Sequence, residues 1–448
     1  MTQPQTRSAA SPVRTARIAL WAFLVANLVI VELLYFTASP PAHNTLTAVG
    51  RFFGLHLAFV MTLQLLLISR LPFLDRRIGM DKLTTWHRWT GFTLFWLVVL
   101  HPTFVLLGYS RLDKVSFFRE ISSLSGQTPV LLGMIAAVLV WVVAGSSIRA
   151  VRRRLSYEAW HAVHLVVYAV IVLGIIHQLA EGSAFKTNAL TQLYWWGLWA
   201  FAIGALLTGR LIVPVVRNAR HQFKVAAVVP ESDNVVSVHT TGRHLDRLPA
   251  RAGQFFLWRF PGQNGWWQVN PFSLSAAPDG HSLRLTAKGI GVTSSGLRDL
   301  PVGTRVFAEG PYGAFTADQR TRTDTVLIAG GIGVTPIRSL LEDPALTGDI
   351  VVLYRVRDLA EAVLLGEMQN IASVRGARLH VLTGRTGEGS PPNQPFSPQG
   401  LVQLVPDITQ RDVFVCGPSA MADAVLRSLR ELGLPSSQVH AETFRLAS

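Results

Sequence analysis

Four histidines, His87, His101, His164 and His177, lie inside long apolar stretches and form two pairs whose members are 14 and 13 residues apart. Neutral imidazole is a common ligand of haem iron, and a helix rising about 1.5 Å per residue sets each pair roughly 20 Å apart along its axis. Two stacked haems, each held by one histidine from each helix, would fit this spacing. At about 100° per residue, 14 residues bring His87 and His101 to within about 40° of one face, whereas 13 residues leave His164 and His177 about 140° apart. The second helix therefore needs a bend or a local irregularity, and Gly174 is the expected place for it.

Such histidines need elements that hold them in an apolar medium. Of the 448 residues 49% are hydrophobic, and the mean hydropathy of +0.33 is high for a soluble enzyme. The excess is confined to the first half. There, six stretches (about 18–37, 50–69, 87–107, 128–148, 160–180 and 192–213) are long enough to cross a ~30 Å hydrocarbon core as helices. Arg7, Arg14 and Arg17 precede the first stretch, which has no small-residue cleavage site after it and reads as a retained helix behind a cytoplasmic tail, residues 1–17.

A net charge of +14 could signal nucleic acid, so the placement of the basic residues decides. Arg70, Arg76, Arg77 and Lys82 follow the second stretch, Arg149, Arg152, Arg153 and Arg154 the fourth, and Arg210, Arg217 and Arg220 the sixth, while residues 38–49 hold no Lys or Arg. Charge in alternate loops is the positive-inside pattern. It makes the lipid bilayer the partner and not nucleic acid, and it puts both termini and everything after residue 213 in the cytoplasm, as expected of a plasma- or inner-membrane protein. Arg51 begins the second helix on the outer side, where it could meet a haem propionate or attract an anionic acceptor; a snorkelling interface arginine is the plain alternative. Cys416 is the sole cysteine, which excludes an intrachain disulfide and an iron–sulfur centre of the chain's own.

After Arg220 short β-branched and aromatic runs alternate with Gly, Pro, Asn and Asp. Residues 221–229, 234–240, 254–260 and 281–286 read as antiparallel strands of a small barrel, and the joint to the next domain falls at about 320. Beyond it come a strand at 325–329, a glycine turn, a helix from Pro336, strands at 350–354, 378–382 and 412–416, and a helix at 420–432. That alternation predicts a doubly wound parallel sheet. The expected organisation is a six-helix membrane domain over 18–216, a barrel over 217–320 and a nucleotide-binding domain over 321–448, with residues 386–398 as a mobile surface loop.

The sequence GGIGVTP at 330–336 follows a buried strand and opens a helix, the context in which glycines admit a pyrophosphate to unpaired N–H groups. Before it stand NPFSLSAAP at 270–278, KGIGVTSSGL at 288–297 and EGPYGAF at 309–315, and after it CGPSAM at 416–421 and HAETFR at 440–445. In this order the motifs resemble the flavodoxin-reductase and ferredoxin-NADP reductase superfamily. The resemblance implies that FAD is bound by Asn270, Pro271, Phe272, Ser273, Lys288, Gly291, Val292, Thr293 and Ser294, with Phe272 packed by the flavin and Ser273 near its hydride-accepting nitrogen. Relatives usually carry Arg or His where this chain has Asn270, which shifts phosphate charge compensation to Lys288. It further implies that Gly330, Gly331, Gly333, Val334, Thr335, Pro336, Cys416, Gly417 and Pro418 receive the nicotinamide nucleotide, and that Ser273, Cys416, Glu442 and Phe444 surround the meeting place of nicotinamide and flavin. Arg355, Arg357 and Arg385 lie just past strand ends, where they could take the 2′-phosphate of NADPH or form a solvated rim, with NADH the alternative cofactor.

The histidine pairs joined to such a module resemble the ferric reductase and NADPH oxidase family. That resemblance implies two b-type haems, an inner one on His87 and His164 and an outer one on His101 and His177, with His161 the alternative inner ligand. Electrons would pass from cytoplasmic NAD(P)H through FAD and the haems to an external acceptor. Phe95 and Trp96, midway between His87 and His101, could fill the gap between haems or simply pack. In the oxygen-reducing branch a second outer histidine follows the outer ligand by one turn; here that position is Val105, which favours a ferric chelate over oxygen. Two readings of other kinds stand beside this one: a proton or ion pathway through His56, His87, His101 and His177, and an electron conduit for a separate partner subunit. Oligomeric state is left open.

Overall fold

The computed structural model describes residues 12–38, 40–186, 188–261, 269–388 and 393–443. It divides into two compact units, residues up to 74 with 81–211, and residues 75–80 with 212 onward.

In the first unit helices run α1 (Pro12–Ala38), α2 (Thr45–Leu67), α3 (Pro72–Ile78), α4 (Met80–Asp113), α5 (Phe117–Ser125), α6 (Thr128–Ser147), α7 (Arg149–Arg152), α8 (Tyr157–Leu165), α9 (Val167–Glu181) and α10 (Ala189–Leu207), the end of α3 already belonging to the second unit. Among the described residues six spans are long and apolar enough to cross a membrane: Ile18–Ala38, Thr45–Leu67, Lys82–Asp113, Thr128–Ser147, Ala159–Glu181 and Ala189–His221. They coincide with the six apolar stretches, because a hydrocarbon medium demands internally bonded backbone over a fixed length. Trp21, Phe36, Trp141 and Trp196 are exposed on the outside of this unit, as lipid-facing side chains are, while Trp195 and Trp199 are buried within it. Asn44 caps α2 by accepting from the Thr47 N–H at 2.9 Å, and its own side-chain amide donates to the Gly108 carbonyl at 2.8 Å. Helix contacts rest on small residues, since lipid supplies no hydrophobic drive between helices. A Cβ on Gly50 would stand 2.7 Å from Val105, and one on Gly108 would press on Thr47.

The irregularity required in the fifth span is present, but not at Gly174. The helix breaks at Val166, between α8 and α9, where the Val166 N–H reaches the Val163 carbonyl at 3.2 Å in a tightened turn. Such a turn advances about 120° per residue against about 100° in an α-helix, which moves the 13-residue phase toward closure. Gly174 lies in unbroken helix and instead makes room for Met61, 3.3 Å from where its Cβ would be.

The second unit begins with α11 (Val213–His221), so residues 221–222 end a helix instead of opening a strand; Gln222 caps it at φ +47°. The barrel follows as β1 (Lys224–Ser232), β2 (Val235–Thr241), β3 (Phe255–Arg259), β4 (Asn270–Ser273), β5 (Ser282–Lys288), the short α12 (Val292–Gly296) and β6 (Phe307–Tyr312). Two antiparallel sheets, ordered β1-β2-β5 and β4-β3-β6, are joined by bridges Leu274–Leu285 and Lys224–Arg305 around Phe256, Trp258, Phe260 and Leu285. The nucleotide-binding domain comprises β7 (Thr325–Gly330), α13 (Val334–Glu342), β8 (Ile350–Arg355), α14 (Leu365–Arg375), β9 (Arg378–Leu382), α15 (Pro398–Leu404), β10 (Asp412–Gly417), α16 (Ser419–Glu431) and β11 (Val439–Thr443). Its five strands are all parallel in the order β11-β10-β7-β8-β9. The helix after the glycine turn starts at Val334, two residues before the expected Pro336, and strands β4, β6 and β11 are additions to the sequence reading. Of the expected loop 386–398, residues 389–392 lie outside the described residues.

One buried cation ties this sheet together. The Arg411 guanidinium, 4% exposed, donates to Asp407 at 2.7 and 2.8 Å and to Asp349 at 2.5 Å. Its hydrogen bonds hold both carboxyls below their ordinary value of 3.8. Groups with lowered folded pKa stabilise above the unfolded value and lose that contribution as pH falls through the folded one. Arg411→Met is therefore expected to cost about 2 kcal/mol at neutral pH, discounted because both aspartates are partly exposed, with the gap to wild type closing below pH 3.8 in acid unfolding curves.

The two glycines of the nucleotide turn do different work. Gly331 has φ +50° and open space around it, whereas a Cβ on Gly333 would collide with the Cys416 carbonyl where β7 and β10 end side by side. Gly331→Ala should cost about 1 kcal/mol of backbone strain. Gly333→Ala should cost about 3 kcal/mol through backbone displacement, and thermal unfolding of the full chain distinguishes the two.

Candidate functional site

Within the membrane unit α4 carries both His87 and His101, α8 carries His164 and α9 carries His177. The His101 and His177 rings stand 6.3 Å apart between centres, and so do those of His87 and His164. Metal–imidazole bonds of about 2 Å, plus about 1.1 Å from nitrogen to ring centre, put two axial imidazoles about 6 Å apart, so each pair is spaced to share one ion. Among the described residues no three His, Cys, Asp or Glu side chains converge as a metal-ligand group, so a protein-only cage is not the geometry offered. If a haem binds, each facing pair of imidazoles would be the residues to hold its iron.

The outer pair is held by backbone. Nδ1 of His101 donates to the Gly50 carbonyl at 2.9 Å and Nδ1 of His177 to the Pro129 carbonyl at 3.0 Å. A carbonyl can only accept, so each Nδ1 bears the proton and each Nε2 keeps its lone pair. Gly54 and Gly133 make room for these rings: a Cβ would stand 2.9 Å from His101 and 2.8 Å from His177. A cavity of about 340 Å³ opens here, lined by Arg51, His101, Val105, His177 and apolar residues such as Leu55 and Val170. Arg51 also donates to the Pro40 and Pro41 carbonyls at 2.9 and 3.3 Å, which fixes its guanidinium at the cavity.

At the inner pair His164 faces His87, while His161 is exposed. Trp160 stacks on His164 at 5.1 Å between ring centres, and Nδ1 of His164 is buried without a hydrogen-bond partner among the described residues. Between the two levels sequence reasoning looked to Phe95 and Trp96, but Trp96 is 50% exposed on the outside of the unit. At the level of His177, Gln178 accepts from Trp199 Nε1 at 3.2 Å and lies 4.0 Å from the Met61 sulfur. Sequence reasoning missed Gly54, Gly133, Met61 and Gln178; only the Gly50–Gly54 spacing, one turn of small residues, was a readable signal. His56, named for a relay, hydrogen-bonds Glu32 at 3.1 Å and the Phe52 carbonyl at 2.8 Å.

In the reductase unit β4 presents the flavin-type motif. The Ser273 hydroxyl oxygen is buried with no hydrogen-bond partner among the described residues, the signature of a group waiting for a ligand. Phe272 packs on the barrel core, its carbonyl accepting from Trp258 Nε1 at 3.2 Å; Asn270 and Pro271 precede it on the strand, and Lys288 is exposed at the end of β5. The turn into α12 closes on itself, with Ser294 Oγ accepting from the Ile290 and Gly291 N–H groups at 3.0 Å. That leaves the N–H groups of Val292, Thr293 and Ser294 as the first of the helix.

At the sheet Gly330, Gly333 and Gly417 serve close packing of the β7 and β10 ends against each other and against Met421, next to Pro418, while Gly331 faces open space. Val334, Thr335 and Pro336 are buried, so only their backbone can meet a nucleotide. Arg355 is 9% exposed and donates to the Thr383 carbonyl at 2.7 Å; burial draws its pKa down. Arg357 and Arg385 are exposed on neighbouring loops, joined where the Gly384 N–H meets the Arg357 carbonyl at 2.9 Å, and Arg385 lies 3.8 Å from Glu388. Glu442 on β11 pairs in register with Cys416. Burial, with Glu442 nearby, pushes the fully buried Cys416 thiol well above its ordinary range, so it stays protonated and contributes shape. Phe444 lies outside the described residues.

Comparison with known proteins places these two halves. The family described as ferric reductase like transmembrane component matches residues 53–175, and the oxidoreductase NAD-binding domain family matches residues 327–427. Among curated relatives the chain is 29% identical over 236 residues to the ferredoxin reductase component of 3-ketosteroid-9-alpha-monooxygenase from Mycolicibacterium smegmatis, covering 50% of this chain and 65% of that one. It is 26% identical over 239 residues to the glycine betaine monooxygenase reductase subunit of Chromohalobacter salexigens, covering 51% of this chain and again 65% of the relative. The chain thus spans less than two thirds of the length of these relatives. Among solved structures it is similar to the flavohem-like FAD/NAD-binding domain of nitric oxide dioxygenase from Vibrio cholerae O1 biovar El Tor, with 24% identity, coverage of 50% of this chain and 98% of that one, and a TM-score of 0.42. The chain thus joins a region that matches a ferric reductase like transmembrane component, within a set of helices long and apolar enough to cross a membrane, to a region that matches an oxidoreductase NAD-binding domain.

Proposed function

We propose that this oxidoreductase takes electrons from NAD(P)H on the cytoplasmic side and delivers them to an acceptor outside, a ferric chelate, with one FAD and two b-type haems as its redox groups. The observation that carries the reading is the pair of histidine pairs, both at 6.3 Å and at two levels of the same helices, in one chain with a nucleotide-binding sheet. His87 and His164 would hold the inner haem, and His101 and His177 the outer one. When bound, the flavin supplies the change from paired to single electrons and the haems supply one-electron carriers.

The chain's own residues do the rest. Gly331 offers backbone to the nucleotide pyrophosphate, and exposed Arg357 and Arg385 are placed for a 2′-phosphate, which favours NADPH over NADH. Ser273, whose hydroxyl has no partner among the described residues, would donate it to the flavin. The Gly50 and Pro129 carbonyls hold the outer imidazoles in the tautomer that leaves Nε2 free. Arg51 gives the outer cavity a positive charge for an anionic acceptor. Val105 supports iron over oxygen, because it sits tight against Gly50 where the oxygen-reducing branch has its extra histidine. An inside-negative potential favours outward movement of each electron by ~2.3 kcal/mol per 100 mV.

Anaerobic NADPH added to the purified full-length protein should bleach a flavin and raise a reduced haem α-band, with no other protein present. Ferric citrate should then reoxidise the haem faster than oxygen does. His101→Leu and His87→Leu should each abolish one of two low-spin haem signals, and Ser273→Ala should slow flavin bleaching about tenfold to a hundredfold. A colourless wild-type protein overturns the haem reading, and equal reoxidation by oxygen overturns the choice of acceptor.

A further inference from the structure

A chain of charges, its two arginines buried and its two glutamates about a third exposed, links the segment after Ser273 to the helix that follows the nucleotide turn. Arg284 on β5, with its side chain 8% exposed, donates to the Ser275 hydroxyl at 3.0 Å and the Ser275 carbonyl at 2.8 Å, and makes two bonds of 2.9 Å to Glu367 on α14. Glu367 also pairs with Arg338 of α13 at 2.8 Å, and Arg338, equally buried, pairs with Glu342 one turn on. Glu342 returns to the barrel side, accepting from the Ala277 N–H at 2.7 Å. Thr286 adds a bond of 2.7 Å to Ser275. Burial acts to raise the Glu367 carboxyl, but the bonds and charge of Arg284, with Arg338, outweigh it and keep the pKa low, so the network stays ionised.

Buried ion pairs gain little stability over well-packed apolar residues, and their best-attested use is to specify one arrangement among several. Here Ser275 is two residues from Ser273 and Arg338 five from Gly333. A shift of about 1 Å between reacting groups costs on the order of a hundredfold in rate, so a rigid link at this place bears directly on transfer between nucleotide and flavin.

We propose that Arg284, Arg338 and Glu367 are positioning residues that set the nucleotide turn against the Ser273 strand; the inference rests on the flavin and NAD(P)H reading above. In the full-length holoprotein Glu367→Gln and Arg338→Met should slow flavin bleaching at saturating NADPH by about tenfold or more, with KM changed less than about threefold. Arg338→Lys, which keeps charge but not the planar fork, should recover part of the rate. In protein stripped of flavin the same variants should speed amide hydrogen exchange at Ala277 and across residues 331–336. Should Arg338→Met fail to fold, the near-isosteric Glu367→Gln carries the test. Unchanged bleaching with only a lowered Tm, or unchanged exchange at both segments, overturns this proposal alone. A wild-type protein that binds FAD yet is not bleached by NADPH overturns the functional reading on which it rests.

Discussion

Two imidazole rings can share one metal ion only at a set separation, and for His101 and His177 that separation is imposed by backbone. His101 is tied to the carbonyl of Gly50 and His177 to that of Pro129, each on a different helix from its own. These bonds exist only because Gly50, Gly54 and Gly133 let the helices approach to where a Cβ would collide. Lipid gives helices no hydrophobic reason to associate, so contact of this kind, with interhelical hydrogen bonds such as Trp199 to Gln178, has to supply the order. The histidine geometry and the packing of the unit are therefore one problem with one solution.

The break at Val166 belongs to the same solution. An unbroken helix over the fifth span would turn His164 away from the face that presents His177, and a tightened turn just past His164 corrects the phase locally. Gly174 is left free to admit Met61, which reaches Gln178 beside His177. A glycine in a helix is as readily a packing notch as a hinge.

The reductase unit meets its positional problem with different means. Water and a β-sheet core supply the stability there, so Gly330, Gly333 and Gly417 bring the ends of β7 and β10 together, and Gly331 of the same turn faces open space. Precision comes from buried charge: Arg411 gathers Asp349 and Asp407 at one end of the sheet, and the Arg284, Glu367, Arg338, Glu342 chain joins barrel to nucleotide-binding domain. The Ser273 hydroxyl, buried without a hydrogen-bond partner among the described residues, stands two residues from that frame.

The apolar stretches, the basic loops and the alternation of strand and helix are local in the chain, and periodicity with a fixed bilayer thickness made them legible. The six spans and the parallel sheet accordingly stand where the sequence put them. Strands β4, β6 and β11 escaped notice because each is recognisable only by its partner strand. The four histidines were legible as a spacing, and the choice between His161 and His164 came only when the rings could be seen to face one another. By itself the sequence determined which residues have the chemistry and roughly how far apart along the chain they lie. Tertiary structure alone decided the carbonyl anchors, the glycine notches, the break at Val166 and the buried charge network, because each depends on atoms that are distant in sequence and adjacent only once the helices and sheets have packed.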